Sequence, residues 1–239
     1  MSDIILNSIP YFADLGFKVF LNFVGYYAFH IAFSVYFDED YTKLAFKQKA
    51  YILKNVTKSV FLMYLVYIAF NPIIYALRDD IWDNTSITYM GNIYVSTDLS
   101  GLLFVPELPI TTKLHHLCVL ALGVGNIFLD YSTQNMQRYA CIYAYFSVIP
   151  YCVNTYLGMR VLLVKKPILK YICKMSLYIY SGCFLMNVLF QHNIAYHLFI
   201  ENTVDTLYIA IYLCIFYLIM IDDIKLIKYF YYKNYLQTR

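Results

Sequence analysis

The sequence predicts an all-α fold, a polytopic integral membrane helical bundle with about seven transmembrane helices. Three observations predict it. Of 239 residues, 61% are hydrophobic and 14% are charged, whereas a soluble domain carries roughly 25% charged residues. The apolar residues fall in long continuous runs, not in the short alternating segments of a membrane β-barrel. Basic and non-basic loops alternate between the runs, as expected for a chain threading back and forth through a bilayer.

The runs lie at 12–36, 57–77, 89–108, 113–130, 137–163, 171–191 and 203–222. Each approaches the ~20 residues that cross a hydrocarbon core, and a helix satisfies its own backbone hydrogen bonds there. In the first run, Asp14 and Lys18 stand four apart and can pair near its outer end. The first cation of the chain is Lys18, so no basic n-region of a signal peptide precedes the run, and it reads as a retained span. In the second, Asn71-Pro72 reads as a proline-induced helix end. The third is polar for a span, with Ser96, Thr97, Asp98 and Ser100, and Pro106 and Pro109 end it. The fourth opens on Lys113-Leu114-His115-His116.

The loops set an expected orientation. The first carries Lys43, Lys47, Lys49 and Lys54, the third Lys113, and the fifth Arg160, Lys165, Lys166, Lys170 and Lys174. The second carries Arg78 but also Asp79, Asp80 and Asp83, the fourth is short with Asp130 and Arg138, and the sixth has Glu201 and no Lys or Arg. This puts the N-terminus lumenal or outside and the C-terminus cytoplasmic. The chain divides into an N-terminal span with an outer-facing N-terminus (1–40), a six-span domain (41–225) and a basic-aromatic cytoplasmic tail (226–239). That tail suits a segment lying on an anionic leaflet.

Several function classes are excluded. A basic patch on a soluble fold is missing, so nucleic acid is not an expected partner. The six cysteines show no Cys-x-x-Cys spacing, and no metal ligand set is assigned. Phosphate loops and nucleophile elbows are absent, and no cofactor is expected.

The candidate site residues are ionisable groups inside apolar runs, which are costly there and need a reason. His115 and His116 are adjacent, and neighbours on a helix point ~100° apart. One can face the bundle interior while the other meets an adjacent helix or the headgroups. A neutral imidazole can take a proton from an amine or hydroxyl. Asp98 is expected to face the interior and to orient a histidine. At 1.5 Å per residue it lies ~10 Å from its helix end while His116 lies ~5 Å into its own, so contact needs tilt or a water. A leucine at 98 is expected to fold, because it removes a desolvation cost. Asp205 and Asn154 are candidate cavity-lining residues.

These residues resemble the TLC-domain superfamily, which includes ceramide synthases and translocating-chain-associating membrane proteins. The likeness covers roughly residues 45–225 and rests on Gly91…Tyr94…Thr97-Asp98-Leu99, His115-His116 and Leu129-Asp130-Tyr131-Ser132-Thr133-Gln134-Asn135. Asn55-Val56-Thr57-Lys58-Ser59 is similar to the family's entry segment. The resemblance implies a multi-pass protein of the endoplasmic reticulum or a related membrane. Its implied role is in lipid metabolism, lipid sensing or membrane composition, with membrane lipids or acyl chains as partners and an oligomer compatible. Leu117-Cys118-Val119 follows the pair, and no His-Asp step comes later. The likeness is therefore to the family's non-synthase branches. The alternative is a lipid acyltransferase of ceramide-synthase or elongase type, taking acyl-CoA and using the histidine pair. The elongase box lacks its first histidine, since Thr112 stands there.

Overall fold

The structure, a computed structural model, describes residues 2–125, 130–131, 137–163, 166–200 and 206–236. Among the described residues every regular element is helical. They are α1 (Ser2–Tyr36), α2 (Asp38–Thr42), α3 (Phe46–Asp79), α4 (Asn84–Phe104), α5 (Ile110–Gly125), α6 (Gln137–Val148), α7 (Cys152–Met159), α8 (Pro167–Ile200) and α9 (Thr206–Tyr231). A π-helical turn, Tyr232–Leu236, follows α9.

Three stretches, Ile9–Tyr36, Phe46–Asp79 and Pro167–Ile194, are long and apolar enough to cross a membrane. In their most apolar windows 17%, 28% and 22% of the residues are buried, so most of each apolar surface points outward. Phe20, Tyr27, Tyr67 and Leu185 are among the large side chains left exposed. Burying apolar area is worth about 25 cal/mol per Å² in water, so a soluble chain would not leave such faces open. They mark a helical membrane protein.

The long helices pack in a closed circuit. α3 meets α4, α4 meets α5, α5 meets α9, α9 meets α8, and α8 returns to α3 through α6 and α7. α1 packs outside the circuit on α3 and α4. Close approach of α7 to α3 relies on a small residue: a Cβ on Gly158 would stand 2.6 Å from Cγ2 of Val56 and 3.2 Å from its backbone N. Helices without a hydrophobic force between them gain from such contacts and from interhelical hydrogen bonds.

The polar character of α4 has the same explanation. Asn92, Ser96 and Ser100 repeat every four residues and share one face. Asn92 donates to Asp14 at 2.7 Å, Ser96 accepts from Asn22 at 3.1 Å and Ser100 accepts from Tyr26 at 3.0 Å. The expected Asp14–Lys18 pair is present, with Lys18 buried.

Several boundaries differ from the sequence reading. α3 begins at Phe46, so Lys54 belongs to the helix and not to a loop. α3 also runs through Pro72 to Asp79. A proline costs one hydrogen bond but leaves the flanking turns intact. The helix closes instead at Asp80, whose φ of 54° is left-handed and whose N–H reaches Tyr75 O. The fifth run is not one helix. Pro150 sits between α6 and α7, and its carbonyl accepts from Val153 N at 2.9 Å to start a new turn. α8 starts at Pro167, the position where a missing N–H costs nothing. Lys170 and Lys174 are therefore helical. α9 continues past residue 226, through the segment assigned to the tail.

The start of α4 is capped by Asp83, whose carboxylate accepts from Thr85 N and Ser86 N. The Ser86 hydroxyl, followed by those backbone groups, holds the Asp83 carboxyl below the usual carboxylate range. The proline pair ends α4 as expected, since the helix stops at Phe104.

Candidate functional site

Asp98 is the centre. It lies on the α4 face opposite the α1 contacts and is fully buried. Its Oδ1 accepts from the Lys58 ammonium of α3, and His116 Nδ1 of α5 stands 3.1 Å from the same oxygen. The imidazole contact is close, yet it does not complete a hydrogen bond. His116 Nδ1, His116 Nε2 and Asp98 Oδ2 are buried without hydrogen-bond partners. The direct approach of Asp98 and His116 replaces the water or tilt expected from helix rise alone.

The two histidines diverge as adjacent helical residues must. His116 is buried against Asp98, while His115 turns toward α9, its Nδ1 3.9 Å from Asp222 Oδ2. His115 Nδ1 is covered, which leaves Nε2 as the ring nitrogen of the pair with open surface. Asp222 also accepts from Thr112 Oγ1 at 3.4 Å. Asp223 points inward and takes two phenols, Tyr143 OH at 2.7 Å and Tyr180 OH at 2.6 Å.

These groups surround a polar chamber of about 500 Å³. Lys54, Lys58, His115, His116 and Arg160 line it, opposite Asp222 and Asp223. A second cavity of about 400 Å³ is almost entirely apolar, walled by residues such as Leu65, Met90, Val119, Ala144 and Ile219. Tyr94 lines both.

The structure therefore brings together three of the sequence candidates, Asp98, His115 and His116, and adds Asn154 on the chamber wall. Asp205 lies outside the described residues, as do Ser132–Asn135 of the motif. Two further polar residues of the apolar runs are hydrogen-bonded between neighbouring elements. His30 Nδ1 meets Tyr41 OH at 2.9 Å, and Asn187 donates to Tyr143 O at 3.4 Å.

Sequence reasoning missed Lys54, Lys58, Arg160, Asp222 and Asp223. Lys54 and Lys58 did carry a signal. They stand four apart, on one helical face, amid Ile52, Leu53 and Leu62, which are buried.

Asp98, His115 and His116 also hold their donor atoms within 4.8 Å of one another, a spacing that fits one ion. Lys58, however, already occupies the Asp98 oxygen facing His116. A divalent cation there would meet an ammonium at close range. The arrangement favours proton handling and anion binding over metal binding.

Comparison with protein-family models, with curated proteins and with solved structures gives no match for this chain. The TLC likeness rests on the motif residues alone.

Proposed function

We propose that this chain is a seven-span TLC-like protein of the endoplasmic reticulum or a related membrane, and that it handles lipid without catalysing a reaction. In this reading the long helices are the spans, with α6 and α7 together forming one. The N-terminus is lumenal and the C-terminus cytoplasmic. The observation that carries the reading is the pair of neighbouring cavities, one polar and one apolar, that share Tyr94 as a wall. An amphiphile needs both kinds of surroundings. An apolar cavity of hundreds of Å³ is of the size that takes an acyl chain.

The test is lipid retention. The full chain is purified in a mild neutral detergent, and co-purifying lipids are quantified by mass spectrometry. Ala144→Phe fills the apolar cavity and should reduce bound lipid several-fold at unchanged helicity. Wild type without bound lipid, or a variant with an unchanged load, would remove the reading.

One observation favours a second reading, an acyltransferase. His115 Nε2 opens from a chamber whose floor is a buried Asp98–His116–Lys58 cluster. An amine or hydroxyl would attack a thioester carbonyl, pass its proton to His115, and release the thiolate of coenzyme A. Consumption of acyl-CoA by purified protein tests it.

A further inference from the structure

We propose that the polar chamber is an anion site in which Lys54 holds the oxyacid head, carboxylate or phosphate, of a single-chain amphiphile. The tail runs past Tyr94 into the apolar cavity. The tail rests on the lipid-handling reading; the head does not.

Lys54 carries the argument. It is 6% exposed, on the interior face of α3, and its stem lies against Gly101 of α4. Among the described residues its ammonium has no hydrogen-bond acceptor and no carboxylate partner, yet it lines the chamber. An ammonium on a buried stem that opens only on such a chamber is placed to meet an acceptor there. Asp98 is held through Oδ1 by Lys58, and Asp222 lies by His115 and Thr112. Asp223 takes two phenols.

The balance of the chamber agrees. Lys54, Lys58, Arg160 and Lys225 face Asp222 and Asp223, with Asp98 behind the wall. With neutral histidines, four cations less three carboxylates leave one positive charge. Arg160 has phenols for company, Tyr229 OH at 2.6 Å and Tyr51 OH at 3.4 Å. An arriving monoanion neutralises the chamber and gives Lys54 its acceptor. A cation or a neutral head does neither.

The chain's one tryptophan, Trp82, supplies the readout, because it lines the apolar cavity. Full-length protein in neutral detergent is titrated with 9,10-dibromostearate, whose bromines quench tryptophan, and with the corresponding dibromo alcohol. Lys54→Met should weaken the acid by about 10–100-fold, the range for losing one hydrogen bond to a charged group. Lys54→Arg should stay within a few-fold of wild type, and the alcohol should bind weakly and equally to all three. Competition by lysophosphatidate, with none by inorganic phosphate, assigns the site to a lipid head. Competition by both assigns it to the oxyacid group itself. Equal affinity of acid and alcohol for the wild type would overturn the proposal, and that comparison stands even if Lys54→Met does not fold. Unchanged acid binding by folded Lys54→Met would overturn it too, because Lys54 would then be an uncharged amine. Phosphate held in equilibrium dialysis by wild type but not by Lys54→Met, without quenching by either brominated compound, keeps the anion site and removes the lipid tail.

Discussion

Asp98→Leu is expected to be among the most damaging single substitutions in the chain, and the damage should be repaired by a second substitution at Lys58. Residue burial alone argues the opposite, since a leucine carries no desolvation cost. The ion pair changes the sign. Asp98 is fully buried and the Lys58 side chain is 10% exposed. Removing the carboxylate strands an ammonium inside the bundle beside Lys54, one helical turn away, which is also without an acid partner. Breaking one side of a buried pair costs about 3–5 kcal/mol. For a chain of this size each kcal/mol is worth roughly 2–4 °C in Tm, so the loss should be about 6–20 °C. Lys58→Met alone leaves Asp98 with His116 at 3.1 Å, which is free to take a proton, so a smaller loss is expected. The double variant replaces both charges by apolar groups of similar size, a change that is often neutral or stabilising by about 1–4 kcal/mol. Thermal unfolding of the four proteins in one detergent closes the cycle. Asp98→Leu as stable as wild type, or a double variant no better than Asp98→Leu, would refute the ion-pair argument.

The histidines should separate: under the acyltransferase reading His115→Gln abolishes acyl-CoA consumption, about 10²–10⁴-fold, while His116→Gln shifts its pH profile; equal loss in both would break the asymmetry. Asp83→Ala should cost about 1 kcal/mol through the lost α4 cap. Because the folded Asp83 carboxyl titrates below its unfolded value, its contribution is present above the ordinary carboxylate pKa and fades as pH falls through the folded one, so the variant and wild type should converge in Tm on acidification. Gly123→Val should destabilise by about 1–3 kcal/mol through overpacking, since its Cβ would lie 2.2 Å from Cγ2 of Val95; an unchanged Tm would mean that α4 and α5 separate easily. In a eukaryotic membrane system Asn84, which is exposed, should be the sequon that accepts glycan, while Asn55 is 1% exposed inside α3 and should not whatever the orientation; an unglycosylated Asn84 in a folded chain would count against the lumenal assignment of its loop.

Much of the fold was legible because membrane helices announce themselves through composition, and the polar exceptions announce the interior. Asp98 was readable as inward because a carboxylate in an apolar run has few other places to go, and adjacent histidines must diverge. The breaks were less legible. Pro72 and Pro150 carry the same local rule, yet α3 passes through the first and the chain turns at the second; packing on α3 and α8 decides, and no local pattern records it. Lys54 was misplaced for a related reason. A lysine at the edge of an apolar run reads as a loop cation, and only the start of α3 eight residues earlier turns it inward.

The loss of Lys54 from the loop count leaves the charge asymmetry standing, because the contacts between loops carry it independently. Lys47 in the first turn of α3 pairs with Glu107 after α4. Arg160 after α7 reaches Tyr51 near the start of α3 and Tyr229 near the end of α9. Asn234 beyond α9 reaches Cys173 early in α8. These contacts gather the basic loops at one end of the bundle. At the other, Asn84 at the start of α4 donates to Asp130 at 2.8 Å, and Arg138 at the start of α6 reaches Asp80 at 2.8 Å. The helices between these loops therefore run alternately from end to end. Loop charge and loop contact are separate kinds of information, one from composition and one from packing. For the loops whose contacts are described, both give the same two groups. The chamber with Lys54 and the histidine pair opens among the basic group, while the apolar cavity reaches toward Trp82 at the acidic end.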